Sequence, residues 1–440
     1  MGTAIARYTS RPDSRHRAAF PEAFRTGASR SEEVQKDAAS MTGVLPTLPP
    51  PRYHAAMPTC YLDWAASAPP YLDILQESAA LAASDYGNPS SLHSTGKSAR
   101  TALEDARAVF GRVVGAAPER IVFTSGGTEA DSIALLSAIV AKGQRSIVIS
   151  AIEHAAVFEQ ARVIEELGVK VIRVRPGADG VVDPGAVADA VRPDTAIVAV
   201  MAVNNETGAV QPIDRIVEAV RAATADSGRT PFFHCDAVQG LGSIGFDAAA
   251  LGVDGAAFSA HKLGGPRGVG AMYLRKSITP LARGGGQERG VRPGTHNTAG
   301  AWAFSRAAER SSAARAESFI RARDHERALL DGLRSIPGAA PLPLSRRPGD
   351  DRYSPYIVCA TFPGIGGEIL ARLLDEAGIA VATGAACSGA KKERRVLDAM
   401  GVSRELSFSS IRISTGRDTT ISDIDLFLER AAAAYARYRV

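Results

Sequence analysis

Between about residue 118 and residue 275 the chain alternates short β-branched runs with amphipathic stretches, and this alternation restricts the fold more than any other feature of the sequence. Arg120 to Thr124, Ser146 to Ser150, Val169 to Val174, Ala196 to Val203, Phe232 to Cys235 and Gly255 to Ser259 read as strands. Glu129 to Ala141, Ala155 to Leu167 and Ile213 to Ala223 read as helices among them. Continuous apolar strands are buried on both faces, so repeated βα units predict an α/β fold with a mostly parallel sheet covered by helices on each side. Ligands of such sheets bind beyond the carboxyl ends of the strands. The residues just after each strand are therefore where chemistry is expected.

A chain of 440 residues, 45% of them hydrophobic, has room for one large domain and a smaller one. After about residue 300 the pattern changes. A charged helix from Ala301 to about Leu333 leads through a Pro-rich linker, Pro337 to Pro348, to a strand at Tyr356 to Phe362. Helix Gly367 to Ala377, strands Ile379 to Ala382 and Ser410 to Ser414, and a last helix, Ile421 to Tyr435, complete a smaller α+β unit. The predicted division is residues 1–57 as an extension, 58–300 as the large domain, with its N-terminal arm contributing to the small one, and 301–440 as the small C-terminal domain. The extension is rich in Arg, Ser, Ala and Pro without sustained periodicity, and disorder is the expectation for it. Its acids, Asp13, Glu22, Glu32, Glu33 and Asp37, speak against an organellar transit peptide. The expectation is a start placed too early, with Met41 or Met57 the initiator.

A formal charge of +4 is small for this length, and no basic stretch is interleaved with aromatics, so nucleic acid is not an expected partner. The cysteines, Cys60, Cys235, Cys359 and Cys387, lie far apart with no C-x-x-C pair, which points away from a zinc site or disulfide framework and towards a reducing, cytoplasmic setting. No apolar run is long enough to span a membrane.

Among the post-strand residues, Lys262 lies where Ala256-Ala257-Phe258 runs through Ser259-Ala260-His261 into a glycine-rich turn. A lysine at the mouth of a buried strand has the setting for a depressed pKa and Schiff-base chemistry. Alone it also fits a strand-end lysine reaching to solvent. Ser125-Gly126-Gly127-Thr128-Glu129, at a helix start, can cradle a phosphate or serve as a plain N-cap turn. His154 follows another strand, and Asn204-Asn205-Glu206 another, each also readable as structural. Asp236 ends an apolar strand, and a buried carboxylate there needs a cation or caps the next helix. Together these residues supply an anion cradle, a stacking imidazole, an acid for a protonated ring nitrogen and a lysine for an aldehyde, which are the parts that pyridoxal 5′-phosphate asks of a protein.

With Asn88-Pro89-Ser90-Ser91-Leu92-His93, Asp236-Ala237-Val238-Gln239, Ser259-Ala260-His261-Lys262, Gly284-Gly285-Gly286-Gln287-Glu288-Arg289-Gly290, Arg292-Pro293-Gly294-Thr295 and Ser410-Ile411-Arg412, the chain from about Tyr61 onward resembles the cysteine desulfurases of the class V aminotransferase family, pyridoxal-phosphate fold type I. The resemblance implies that Lys262 carries the cofactor, Asp236 faces its ring nitrogen and His154 stacks on the ring and moves protons. It implies that Gln239 and Asn205 reach the phenolic oxygen and the substrate, and that Gly127, Thr128, Ser259 and His261 hold the phosphate. Arg412 would bind the carboxylate of L-cysteine. The residue matching Thr295 reaches the neighbouring subunit's phosphate in relatives, which implies a homodimer.

Pyridoxal phosphate alone leaves several reactions open. Cys387, in Gly384-Ala385-Ala386-Cys387-Ser388-Gly389-Ala390 and followed by Lys391, Lys392, Arg394 and Arg395, has neighbours that favour a thiolate, although an isolated loop cysteine is also an ordinary inert residue. The segment is similar to the one bearing the persulfide cysteine in the longer-loop desulfurases, and this implies sulfur removal from L-cysteine to leave L-alanine. The implied acceptor is an iron–sulfur scaffold or a thiolation carrier, and the end of the chain at Val440, where housekeeping members continue into a scaffold-docking tail, leaves that choice open. A selenocysteine lyase, another class V aminotransferase and a catalytically idle dimeric platform are the alternatives. Cys60, Cys235 and Cys359 are expected in the core.

Overall fold

The structure is a computed structural model, and it describes residues 60–141, 143, 146–383 and 394–439. Its strands are β1 (Cys60–Tyr61), β2 (Ile121–Thr124), β3 (Ser146–Ser150), β4 (Lys170–Val174), β5 (Thr195–Ala199), β6 (Phe232–Asp236), β7 (Gly255–Ser259), β8 (Gly270–Leu274), β9 (Ala340–Leu342), β10 (Ile357–Thr361), β11 (Ile379–Ala380) and β12 (Ser410–Ser414). The helices that matter for the site and its support are α1 (Ser94–Val113), α2 (Gly127–Val140), α3 (Ala155–Glu166), α4 (Ile213–Ala223), α5 (Thr298–Ala313), α6 (Arg315–Ser335), α7 (Gly367–Glu376), α8 (Arg395–Ala399) and α9 (Ile421–Tyr438).

Seven strands form one sheet in the order β2-β8-β7-β6-β5-β3-β4. The pairs among β7, β6, β5, β3 and β4 are parallel, and β8 runs antiparallel to both of its neighbours. Alternation along each strand explains the two covering layers. Ile147 and Ile149 of β3 pack with Ala130 and Ala134 of α2 and Val157 and Ala161 of α3. Val148 between them faces the opposite core, with Ile216 and Val220 of α4, Phe110 of α1 and Phe304 of α5. Phe110 meets Phe258 of β7 edge-on there, with ring centroids 5.4 Å apart.

A second, three-stranded antiparallel sheet has the order β12-β10-β9, and β1 pairs in parallel with β11 beside it. Its core joins Cys60 and Leu62 to Leu329 and Leu333 of α6, Val358 and Ala360 of β10, Ile411 and Ile413 of β12, and Phe427 of α9. Among the described residues no helix is long and apolar enough to cross a membrane.

Three local expectations are corrected. The charged stretch after Ala301 is two helices, α5 and α6, parted at Ala314, because α5 packs along α1 and α6 packs against α9, so their apolar faces serve different cores. The Pro-rich linker contains β9, which pairs with β10 through Leu342 and Cys359. The strand read as Ala196 to Val203 is ordered in the sheet only over Thr195–Ala199; beyond it Ala202 N–H bonds to the Asp236 carbonyl and Val203 bridges Val210.

Candidate active site

Because β3, β5, β6 and β7 are parallel and adjacent, their carboxyl ends open on one side, and the residues that follow them line a single cleft of about 1580 Å³. Gly127, Thr128, His154, Asn205, Asp236, Gln239, Ser259, His261, Lys262 and Arg412 all border it. Of the predicted site residues, Thr295 does not line this cleft and is exposed on the chain's surface. Cys387 lies outside the described residues.

Lys262 ends a single turn of 3-10 helix, Ala260–Lys262, that breaks away from β7. Its Nζ donates to the carbonyls of Ala65 at 2.5 Å and Ala66 at 2.9 Å, and Gln239 Nε2 donates to the same Ala65 carbonyl at 2.8 Å. Burial, helped by the Arg412 charge and opposed by Asp236 and Asp63, lowers the lysine pKa to about 8. Asp236 is buried at the end of β6, where its Oδ1 accepts the Val238 N–H at 3.0 Å. Burial raises its pKa, against the pull of His154, the Val238 N–H and Lys262. A cation beside this carboxylate would relieve that cost.

His154 is the N-cap of α3, and its Nδ1 accepts the Ala156 N–H at 3.1 Å, so the neutral ring carries its proton on Nε2. The residue borders the cleft, where desolvation is the main cause of a lowered ring pKa; Asp236 works against that shift, while Lys262, Arg395 and Arg412 reinforce it.

The opposite wall suits an anion. The N-cap of α2 is Gly126, which has no side chain to cap the helix, so the positive end of the helix dipole lies at the border of the cleft with Gly127 and Thr128. Gly127 is required by crowding: a Cβ there would lie 2.5 Å from Val238 Cγ2. Ser259 and His261 complete this wall. His261 Nδ1 lies 3.3 Å from Ser67 Oγ, and burial, with Lys262 next in effect, lowers its pKa to about 4, so the ring is neutral near neutrality.

Asp131, at the border of the cleft, and the buried residues His234 and Glu153 make polar contacts that the sequence did not reveal. His234 Nε2 meets Asp131 Oδ1 at 2.8 Å, and burial lowers the His234 pKa to about 3. Glu153 Oε1 accepts from Ser150 Oγ at 2.5 Å and from the Met201 N–H at 2.8 Å, and burial is the main cause of a pKa raised to about 8.

Arg412 enters from β12. Its Nη2 pairs with Asp63 Oδ1 at 2.7 Å, its Nη1 donates to the Asn205 carbonyl at 2.9 Å, and its buried Nε has no partner among the described residues. Asp63 was not predicted. A lone Asp after a short apolar run carries no sequence signal; the β1–β11 pairing, together with the bridge from Asp63 to Ser414 of β12, brings it here. Thr295 follows a segment pinned elsewhere: Glu288 accepts both Arg107 Nη1 and Nη2, at 2.7 and 2.9 Å, and Gln287 Oε1 accepts the Gly294 N–H at 3.1 Å.

The described cysteines, Cys60, Cys235 and Cys359, are free and buried, as expected of core residues. Burial pushes the thiols of Cys60 and Cys359 up to about 12, which suits inert packing rather than nucleophilic work.

Residues 60–427 match the family described as aminotransferase class-V. The chain is 35% identical over 383 residues to the cysteine desulfurase IscS of Dictyoglomus turgidum, covering 84% of this chain and 92% of that protein. It is 39% identical over 381 residues to a cysteine desulfurase of Cereibacter sphaeroides, covering 85% and 95%. A solved NifS-like protein superposes with a TM-score of 0.78 at 35% identity, covering 86% of this chain and 99% of that one. The structure of SspA in complex with cysteine superposes with a TM-score of 0.66 at 27% identity, covering 81% and 98%. The seven-stranded sheet with helices on both faces is the fold type I architecture of these proteins. With its matched span and its similarity to these relatives, the chain belongs to the class-V aminotransferase family, among the cysteine desulfurases.

Proposed function

We propose that the protein takes sulfur from L-cysteine, leaves L-alanine, and carries the sulfur as a persulfide on Cys387, with pyridoxal 5′-phosphate as its cofactor. The observation that carries this reading is the convergence of Lys262, Asp236 and Arg412 on one cleft. The donor set fits the cofactor group by group. A lysine with a pKa near 8 suits an aldehyde, a buried carboxylate suits a protonated ring nitrogen, and the uncapped start of α2 with Thr128, Ser259 and His261 suits a phosphate. When bound, the cofactor supplies an electron sink for the charge left as the substrate α-proton departs.

The remaining work falls to the chain. Arg412 orients the substrate carboxylate through its planar fork. Lys262, held near the floor of the cleft, binds the cofactor aldehyde and is the base for the α-proton. His154, its proton on Nε2, would stack with the cofactor and hold or move a proton at that nitrogen, and Gln239 and Asn205 would orient the cofactor's phenolic oxygen and the substrate. Cys387 as thiolate attacks the substrate sulfur; the S–S bond forms as the substrate C–S bond breaks, so L-cysteine and the thiol become L-alanine and the persulfide, with no outside oxidant. In this reading residues 58–300 hold the cofactor and residues 301–440 bring Arg412 and Cys387 to it.

Thr295, exposed and away from its own cleft, is read as reaching the phosphate of a second copy in a homodimer. A monomer in sedimentation of the cofactor-loaded protein would remove that part of the reading. The free buried thiols suit a reducing compartment such as the cytoplasm. The sulfur then passes to a protein acceptor, an iron–sulfur scaffold or a thiolation carrier.

The experiment is a pair of variants. Lys262→Ala is expected to lose the yellow colour of the loaded protein. Cys387→Ser is expected to keep the colour and cysteine binding but to form no persulfide. If Cys387→Ser desulfurates cysteine at near wild-type rate, the protein is a lyase of the selenocysteine type or another class V enzyme, and the persulfide step is wrong.

A further inference from the structure

Arg395 opens α8, the first described helix after residues 384–393, and its side chain turns away from that helix towards the His154 wall of the cleft. Its Nη1 donates to the carbonyl of Ala151 at 2.8 Å and its Nη2 to the carbonyl of Glu153. The guanidinium carbon lies 4.1 Å from the ring centroid of Phe158 in α3. All three contacts fall on the turn between β3 and α3 and on the first turn of α3, the segment that sets His154 as N-cap. The bonded residues are 242 and 244 positions apart in sequence, so this is a link between distant parts of the chain.

The neighbouring arginine serves the other end of the same segment. Arg394 is buried and its Nη1 donates to the carbonyl of Thr383, the last described residue before position 384. Ala382, one residue earlier, exchanges backbone hydrogen bonds with Arg412 at 3.2 and 2.6 Å. The two ends of the Cys387-bearing segment are thus tied to each other through Arg394, to the substrate-facing Arg412 through Ala382, and to the His154 turn through Arg395.

We infer that Arg395 is a positioning residue that fixes the root of the Cys387 segment against the turn carrying His154, so that sulfur transfer to Cys387 depends on it while cofactor binding does not. A guanidinium suits this task because its planar fork offers two N–H groups at a fixed spacing, matching two carbonyls two residues apart, and can stack on Phe158 at the same time. A lysine could reach one carbonyl and keep the charge, but it lacks the fork and the stacking plane. The inference rests on the reading of Cys387 as sulfur acceptor.

Arg395 also places a positive charge near His154, which otherwise faces Asp236 from β6, Lys262 from the turn after β7 and Arg412 from β12, with Glu153 beside it in the chain. Removing that charge makes the imidazole easier to protonate, so an acid limb of activity governed by His154 moves to higher pH.

The test uses the full-length, pyridoxal-phosphate-loaded protein with Arg395→Gln and Arg395→Lys. Both variants are expected to keep the yellow colour and a KM for L-cysteine within about threefold of wild type, while kcat and the rate of persulfide labelling at Cys387 fall by about tenfold. The acid limb of kcat is expected to move up in Arg395→Gln and to stay in place in Arg395→Lys, a difference that a purely structural loss would not produce. Persulfide formation within twofold of wild type in Arg395→Gln, or loss of colour in proportion to activity in both variants, overturns the inference. A wild-type protein that forms no persulfide at Cys387 instead overturns the proposed function beneath it, and mass spectrometry of the wild-type control separates the two failures.

Discussion

Arg412 Nη2 and Asp63 Oδ1 lie 2.7 Å apart, so a residue of β12 and one just beyond β1 meet at the border of the cleft, on the side where the proposed function puts the substrate carboxylate. The arginine is nearly buried and Asp63 is partly open, which presents a carboxylate of the chain itself to a guanidinium with one further N–H unpartnered among the described residues. In the proposed function an incoming carboxylate would meet an arginine already oriented by Asp63 and by the Asn205 carbonyl.

This arrangement predicts that Arg412→Lys raises the KM for L-cysteine by about tenfold or more, since a lysine keeps the charge but not the two-pronged geometry. The cofactor colour should be unaffected, because the proposed function assigns Arg412 to the substrate and not to the cofactor. Steady-state kinetics on the coloured variant measure it, and an unchanged KM would place the carboxylate elsewhere.

Lys262 predicts a pH dependence for cofactor capture. A free amine is needed to attack the aldehyde, and with its pKa lowered from 10.5 to about 8 the neutral fraction rises through the range just above neutrality. The rate at which cofactor-free protein turns yellow on adding pyridoxal phosphate should climb with pH and level off above about 8. A rate still climbing steadily towards pH 10 would mean that the lysine titrates like an exposed one.

Glu153 predicts the slope of stability with pH. Its pKa is raised from 4.5 to about 8, chiefly by burial, so between those values the unfolded chain releases a proton that the folded chain retains. The sign follows: this contribution is fully present below about pH 4.5 and is lost as pH rises towards 8. Glu153→Gln keeps an oxygen to accept from Ser150 and Met201 and has no such slope. Relative to wild type, the variant should gain stability between pH 5 and pH 8 by an amount on the order of 3 kcal/mol. Urea denaturation of both proteins at the two pH values measures the difference, and parallel stability curves would show that Glu153 is ionised throughout.

The large sheet was legible because each strand is a short continuous apolar run, and because Lys262, Asp236, His154 and Asn205 follow their strands within a few residues. Parallel strands turn that local position into a shared location, so reading the chain in order was enough to gather most of the cleft. β8 escaped this reading: Gly270-Ala271-Met272-Tyr273-Leu274 follows a glycine-rich turn and runs antiparallel, outside the βα rhythm. The carbonyls of Ala65 and Ala66 that receive Lys262 escaped it too, because backbone groups leave no trace in residue type. Asp63 and Arg395 were invisible as site residues for a different reason. Each meets the cleft through contacts spanning hundreds of residues, and no local spacing encodes such a meeting.

The sequence by itself determined the layered α/β architecture and the set of chemical groups at the strand ends, since hydrophobic periodicity and the residues that follow it are local properties of the chain. Only the tertiary structure decided that Lys262 titrates near 8, that Arg412 is held by Asp63, and that Arg395 ties the root of the Cys387 segment to the His154 turn. Burial and charge are set by what the whole fold places within a few ångströms of a group, and those neighbours come from parts of the chain that the sequence keeps far apart.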